Sequence, residues 1–119
     1  MLTILIVDDE KNIRETLSDF LRLTGYEAIT AENGNDALHQ IRNHAPDLVI
    51  CDLLMPKIGG YECLKAVKKD FEEIKIIMLT GILDDKIYQK CIDAGADDIL
   101  TKPFDFLELE EKIDNLYTR

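Results

Sequence analysis

Three carboxylates, a hydroxyl and an ammonium stand at the ends of short apolar runs in this sequence: Asp8 and Asp9 after ILIV, Asp52 after LVIC, Thr80 after IIML, and Lys102 just beyond DIL. One Asp at the end of such a run is commonplace, because Asp opens turns. The set says more. If the ends of these runs were neighbours, two carboxylates on adjacent strands about 4.8 Å apart would repel by roughly 3 kcal/mol at an effective dielectric of about 20. A fold gains nothing from that, whereas a divalent cation removes the conflict, and carboxylates with a carbonyl and waters suit Mg2+ better than Zn2+. A carboxylate held this way can attack a phosphoryl group, giving an aspartyl phosphate, while metal, lysine and hydroxyl neutralise the equatorial oxygens. Asp52, the lone carboxylate after its run, is the nucleophile candidate. Asp8 and Asp9 are then the metal holders, and Gly81 keeps the approach beside Thr80 open.

Two hydrophobic periods alternate along the chain and indicate what positions these groups. Apolar or β-rich runs occur at 2–7, 26–30, 47–51, 74–79 and 97–100, with helical patterns between them. Ile13, Leu17, Phe20 and Leu21 fall on one helical face, and Leu109, Ile113, Leu116 and Tyr117 repeat that spacing. Gly25 and Gly95 stand where left-handed caps are needed, and Asp105 with Glu108 makes a capping box flanked by Phe104 and Leu109. Gly59 and Gly60 read as a permissive turn before the third helix, not a phosphate loop, since neither GxxxxGK[ST] nor GxGxxG occurs. Five βα repeats imply one α/β domain over residues 1–119, a doubly wound (βα)5 flavodoxin-like fold with a parallel five-stranded sheet of order 2-1-3-4-5. The first, third and fourth strands are the most continuously apolar and belong in the middle. In such sheets ligands bind beyond the carboxyl ends of the strands, where the five candidate side chains lie.

Composition narrows the partners. A formal charge of −10, with 14 Lys and Arg interleaved among 24 Asp and Glu, repels a phosphate backbone and argues against direct nucleic-acid binding. No run is long enough to span a membrane and the start lacks a cationic leader, which together with the cysteines implies a cytoplasmic setting. Cys51, Cys63 and Cys91 sit in apolar stretches without a CxxC pair and read as buried thiols in a reducing compartment. His39 and His44 fall on different helix faces with no nearby cysteine and read as surface residues, not metal ligands.

The ordered set VDDE at 7–10, DLLMP at 52–56, GG at 59–60, LTG at 79–81, AGADD at 94–98 and TKPF at 101–104 resembles the receiver domains of two-component response regulators, of the chemotaxis-regulator kind. The resemblance covers essentially the whole chain. It implies that Asp52 accepts a phosphoryl group from a phosphohistidine on a sensor histidine kinase or a histidine phosphotransfer protein, as a signalling phospho-acceptor that assists its own phosphorylation and dephosphorylation. It also implies that Asp9 and Asp52 ligate Mg2+ directly together with the backbone carbonyl of Leu54, that Asp8 acts largely through water, that Lys102 and Thr80 contact the phosphoryl oxygens, and that the Lys102–Pro103 bond is cis.

Ile99 departs from the family pattern, which often has Tyr or Phe three residues before the lysine. Leu54 and Ile82 are apolar where many relatives carry polar groups that position the attacking water, so slow loss of the phosphoryl group is expected. With Ile99 in place, the switch is expected to run through Thr80, the loop at 81–85 and the fourth helix. Its output face is the fourth helix, fifth strand and fifth helix, where Lys86, Lys90, Asp97, Asp98, Glu111 and Lys112 offer charges for a partner or a weak homodimer. Two other functions fit parts of the pattern. A haloacid-dehalogenase-type phosphatase would carry DxD after the first strand, where this chain has DDE; a phosphate-independent pseudo-receiver module would be expected to lack some of the five site residues, all of which are present.

Overall fold

A computed structural model describes residues 1–55, 59–81 and 84–117 of the chain. Elements alternate throughout: β1 (Thr3–Val7), α1 (Lys11–Leu23), β2 (Glu27–Ala31), α2 (Gly34–His44), β3 (Leu48–Asp52), α3 (Gly60–Asp70), β4 (Lys75–Thr80), α4 (Asp85–Asp93), β5 (Asp98–Thr101) and α5 (Phe106–Tyr117). The strands pair in parallel in the order β2-β1-β3-β4-β5, the expected sheet. Each strand starts one residue after its apolar run, and Asp52 and Thr80 are the last residues of β3 and β4 rather than the first of a loop.

Because side chains alternate across a strand, β1, β3 and β4 feed two cores. Leu5, Val7, Val49, Cys51, Ile76 and Met78 pack with α2, α3 and α4 on one face. Ile4, Ile6, Leu48, Ile50, Ile77 and Leu79 pack with Leu17 and Leu21 of α1 and with Leu109 and Ile113 of α5 on the other. Both faces of the central strands are covered, as their unbroken apolar character requires.

The helix ends follow the punctuation. Gly25 (φ 100°) and Gly95 (φ 107°) close α1 and α4; the Gly95 amide donates to Ile92 O and the Ala96 amide to Cys91 O, both at 3.0 Å, the paired bonds of a left-handed cap. The Glu108 amide donates to Asp105 Oδ1 at 2.8 Å and the Asp105 amide to Glu108 Oε1 at 3.4 Å, so the capping box forms at α5. Phe104 and Leu109 both belong to the α1/α5 core, as a hydrophobic staple requires.

Gly60 corrects one expectation. It is the first residue of α3, and Gly59 before it has an ordinary φ of −72°. A Cβ on Gly60 would overlap the Asp52 carbonyl oxygen and crowd Leu53 Cα. Close approach of α3 to the end of β3, not turn flexibility, requires glycine there.

Candidate functional site

The sheet itself carries the candidate residues into place. In register, Asp52 lies opposite Leu79 and Thr80 opposite Thr101. The ladder continues past the strand ends: the Leu53 amide donates to Leu79 O at 2.8 Å, the Lys102 amide to Thr80 O at 2.8 Å and the Asp8 amide to Ala31 O at 3.2 Å. Side chains held on such a frame keep their geometry better than side chains on free loops.

Lys102, Asp8 and Asp52 meet directly. Lys102 Nζ stands 3.4 Å from Asp8 Oδ2 and 3.5 Å from Asp52 Oδ2. Asp8 is fully buried, and Asp52 is 7% exposed. One ammonium therefore serves two buried carboxylates, and negative charge is left over. Asp8 is further tied down by the Glu10 amide, which donates to its Oδ1 at 2.9 Å, and by Arg14, whose Nη1 donates to its backbone carbonyl at 2.8 Å. Burial pushes the Asp52 carboxyl above the usual range, and the charge on Asp8 adds to the effect. The Lys102 ammonium and the Leu54 backbone amide pull the other way without overcoming it.

Asp9 is exposed, and it joins a group in which Asp8, Asp9 and Glu10 each place a carboxylate oxygen within 4.8 Å of the others. Glu10 was not among the expected ligands, although it is the third acid of VDDE; Arg14, which anchors Asp8, was also missed, because nothing in its spacing singles it out. Thr80 is buried beside β5. A Cβ on Gly81 would meet no heavy atom within 4 Å among the described residues, so the protein's own packing does not demand glycine there. Leu54 is largely exposed, and Ile82 lies outside the described residues. The Lys102–Pro103 bond is cis, as expected.

The thiols near the site are packing groups. Cys51 donates to the Asp52 carbonyl at 3.5 Å. Contact with the Cys63 thiol, burial and the nearby carboxylates push the Cys51 thiol well up, so it stays protonated. All three cysteines are free and buried, and both histidines are exposed.

Residues 4–114 match the family described as the response regulator receiver domain. The chain belongs to that family.

This receiver domain is 44% identical over 118 residues to a probable transcriptional regulator ycf27 of Cyanidium caldarium, a match that covers 98% of this chain and 46% of the relative. The chain thus spans about half the length of the curated relatives it matches. Among solved structures it superposes on chemotaxis protein CheY4 of Vibrio cholerae with a TM-score of 0.93, at 33% identity, covering 97% of this chain and 98% of that one. It also superposes on a CheX–CheY–BeF3–Mg2+ complex from Borrelia burgdorferi with a TM-score of 0.94, at 26% identity, covering 99% of this chain and 90% of that one. The receiver fold, with its sheet order 2-1-3-4-5, and a place in two-component signalling follow for this chain. No helix among the described residues is long and apolar enough to cross a membrane.

The charges expected on the α4, β5 and α5 face of the receiver are partly spent inside it. Asp97 turns toward α3: its Oδ2 accepts from Lys68 Nζ at 3.0 Å and from the Ile76 amide at 2.8 Å. Lys90 lies 4.2 Å from the centre of the Tyr61 ring, and Asp98 pairs with Lys112 at 3.1 Å. Lys86 and Glu111 stay exposed. Ile99 is buried opposite Met78 in the core facing α2, α3 and α4.

Proposed function

We propose that Asp52 is the phospho-acceptor of this receiver and takes its phosphoryl group from a phosphohistidine on a sensor histidine kinase or a histidine phosphotransfer protein. The observation that carries this reading is the sharing of the Lys102 ammonium between Asp8 and Asp52 at the carboxyl edge of the sheet. An Asp52 carboxylate oxygen attacks phosphorus; the P–N bond breaks, and its electron pair returns to the imidazole nitrogen. Lys102 and Thr80 face the phosphoryl oxygens and offset their charge.

The donor set fits Mg2+. It is all oxygen, rich in carboxylate and carries more negative charge than the Lys102 ammonium balances, and the Asp8, Asp9 and Glu10 oxygens already cluster. Asp9, Asp52 and the Leu54 carbonyl would hold the ion directly and Asp8 through water, with Glu10 within reach of the same cluster. Bound there, Mg2+ supplies charge neutralisation for the incoming phosphoryl group. By supplying these groups the domain assists its own phosphorylation and its slower dephosphorylation, and the apolar Leu54 beside Asp52 positions no water for the second step.

The switch follows from Thr80. Any phosphate-driven change needs two conformations whose energies the phosphoryl group separates. Ile99 is packed in the core and offers no hydroxyl, so movement of Thr80 would be passed to α4 and the α4, β5 and α5 face, where an output partner or a weak homodimer would read it. We read residues 1–119 as one receiver domain working in the cytoplasm, where its buried thiols stay reduced.

Labelling by acetyl phosphate tests the assignment. One phosphoryl group per chain is expected with Mg2+ and none with Asp52→Asn. Robust labelling of the Asn variant, or of the native chain in chelator, would sink the assignment.

A further inference from the structure

We infer that the groove between α3 and α4 docks an acidic segment of a partner protein, bound through Lys65, Lys69 and Lys90 around the Tyr61 ring. The chain carries an excess of ten negative charges, so a cluster of cations stands out against an acidic background. Among the described residues Lys65, Lys69 and Lys90 make no ion pair. All three are exposed, and two of them meet at one aromatic ring: Lys90 Nζ lies 4.2 Å and Lys65 Nζ 5.4 Å from the Tyr61 centroid. Two ammonium groups drawn to one ring, neither held in an ion pair among the described residues, leave a compact positive spot on an acidic surface.

The spot borders an open groove of about 620 Å3 lined by Tyr61, Ala66, Ala94 and the stems of lysines. Its rim acid, Asp93, already accepts from Gln89 at 2.7 Å, and Lys68 is held by Asp97. Tyr61 also walls a second hollow of about 360 Å3, with Leu53, Met55, Ile87, Lys90 and one acid, Glu62. An occupant therefore meets cations outside and an apolar seat within. Acidic residues flanking one aliphatic or aromatic anchor match that pattern, and the anionic flanks are repelled by most of the remaining surface, which directs them here.

The test uses the full chain without phosphoryl donor or Mg2+, so its outcome does not depend on the chemistry of Asp52. A dye-labelled peptide of alternating Glu and Leu is the probe, and a Gln and Leu peptide the control. Binding is expected to raise anisotropy for the acidic peptide only, and to move the amide resonances of Tyr61, Lys65, Lys69, Lys90 and Ala94. Each exposed ion pair contributes a few-fold, so the triple variant Lys65→Glu, Lys69→Glu, Lys90→Glu should bind about tenfold or more weakly. Lys11→Glu, on α1 across the sheet, should bind as the native chain does. Equal binding by the triple variant would overturn the proposal, as would equal affinity for the uncharged peptide. So would a single-stranded oligonucleotide that binds the same lysines as tightly, or peptide-free self-association in sedimentation that the triple variant abolishes.

Discussion

Lys102→Ala tests whether one ammonium holds the charge balance of the site. Its Nζ lies 3.4 Å from Asp8 Oδ2 and 3.5 Å from Asp52 Oδ2, which caps the separation of the two oxygens at about 7 Å. Two negative charges at that distance repel by at least roughly 2 kcal/mol at an effective dielectric of about 20. The lysine side chain is 25% exposed and solvent screens part of this, so a loss of about 2 kcal/mol without divalent metal is the expected scale. For a chain of this length that lowers Tm by roughly 8 °C, which leaves the domain folded.

The loss should depend on pH in a definite direction. Burial already raises the Asp52 carboxyl in the native protein, and removing the ammonium, which opposes that shift, raises it further. A carboxyl whose folded-state pKa lies above its unfolded value binds its proton more tightly when folded. Its stabilising effect is present at low pH and is lost as pH rises through the folded pKa. The gap between native and Lys102→Ala should therefore be small in acid, where Asp52 is protonated, and grow toward neutrality. Thermal unfolding followed by circular dichroism across acid to neutral pH, in chelator and in excess Mg2+, measures it. Mg2+ should narrow the gap by replacing the lost positive charge. A destabilisation that is the same at every pH, or that Mg2+ leaves unchanged, would refute the electrostatic account and make Lys102 a packing residue.

Asp9→Ala should weaken Mg2+ binding more than Asp8→Ala, because Asp9 is exposed and accepts from no donor among the described residues while Asp8 is already occupied by Lys102 and the Glu10 amide; metal titration ranks the two, and the reverse order would exchange their roles. Gly60→Ala should cost roughly 1–3 kcal/mol or more in denaturant unfolding, since the new Cβ overlaps the Asp52 carbonyl. It should also slow acetyl phosphate labelling by shifting the acceptor, and a variant of native stability would mean that α3 is free to move aside. Tyr117 donates to the Asp47 carbonyl at 3.0 Å, and burial together with Asp47 and Asp97 pushes its pKa up to about 12. The fold keeps that proton longer than the unfolded chain does, so stability should fall as pH climbs from about 10 toward 12. Tyr117→Phe should lose about 1 kcal/mol at neutral pH and show less of the alkaline decline in thermal melts.

Much of this protein was legible as sequence because the relevant signals are local. Unbroken apolar runs demand strands covered on both faces, and three such runs with two weaker ones for the edges suit the order 2-1-3-4-5 of a doubly wound sheet. Cap chemistry is likewise a matter of neighbouring residues, so Gly95 and the Asp105–Glu108 box were readable. The site was legible because a parallel sheet delivers every strand's carboxyl end to one edge, whatever the details of packing.

What tertiary structure alone decided lies in contacts between distant segments. Asp8 and Asp9 are adjacent in sequence and chemically identical, yet one is fully buried against Lys102 and the other exposed, because Asp8 continues the β1 ladder through its amide to Ala31 O while Asp9 stands in the bend that follows. Gly60 owes its identity to a carbonyl eight positions earlier that returns against it. Asp97 looks like a surface charge in the string, but the Ile76 amide and the Lys68 ammonium draw it inward from 21 and 29 positions away. Lys65 of α3 and Lys90 of α4 likewise meet over the Tyr61 ring only because packing brings the two helices side by side. Periodicity determines which face a residue takes; which partner it finds there depends on how two faces from different parts of the chain are brought together, and that is set by packing.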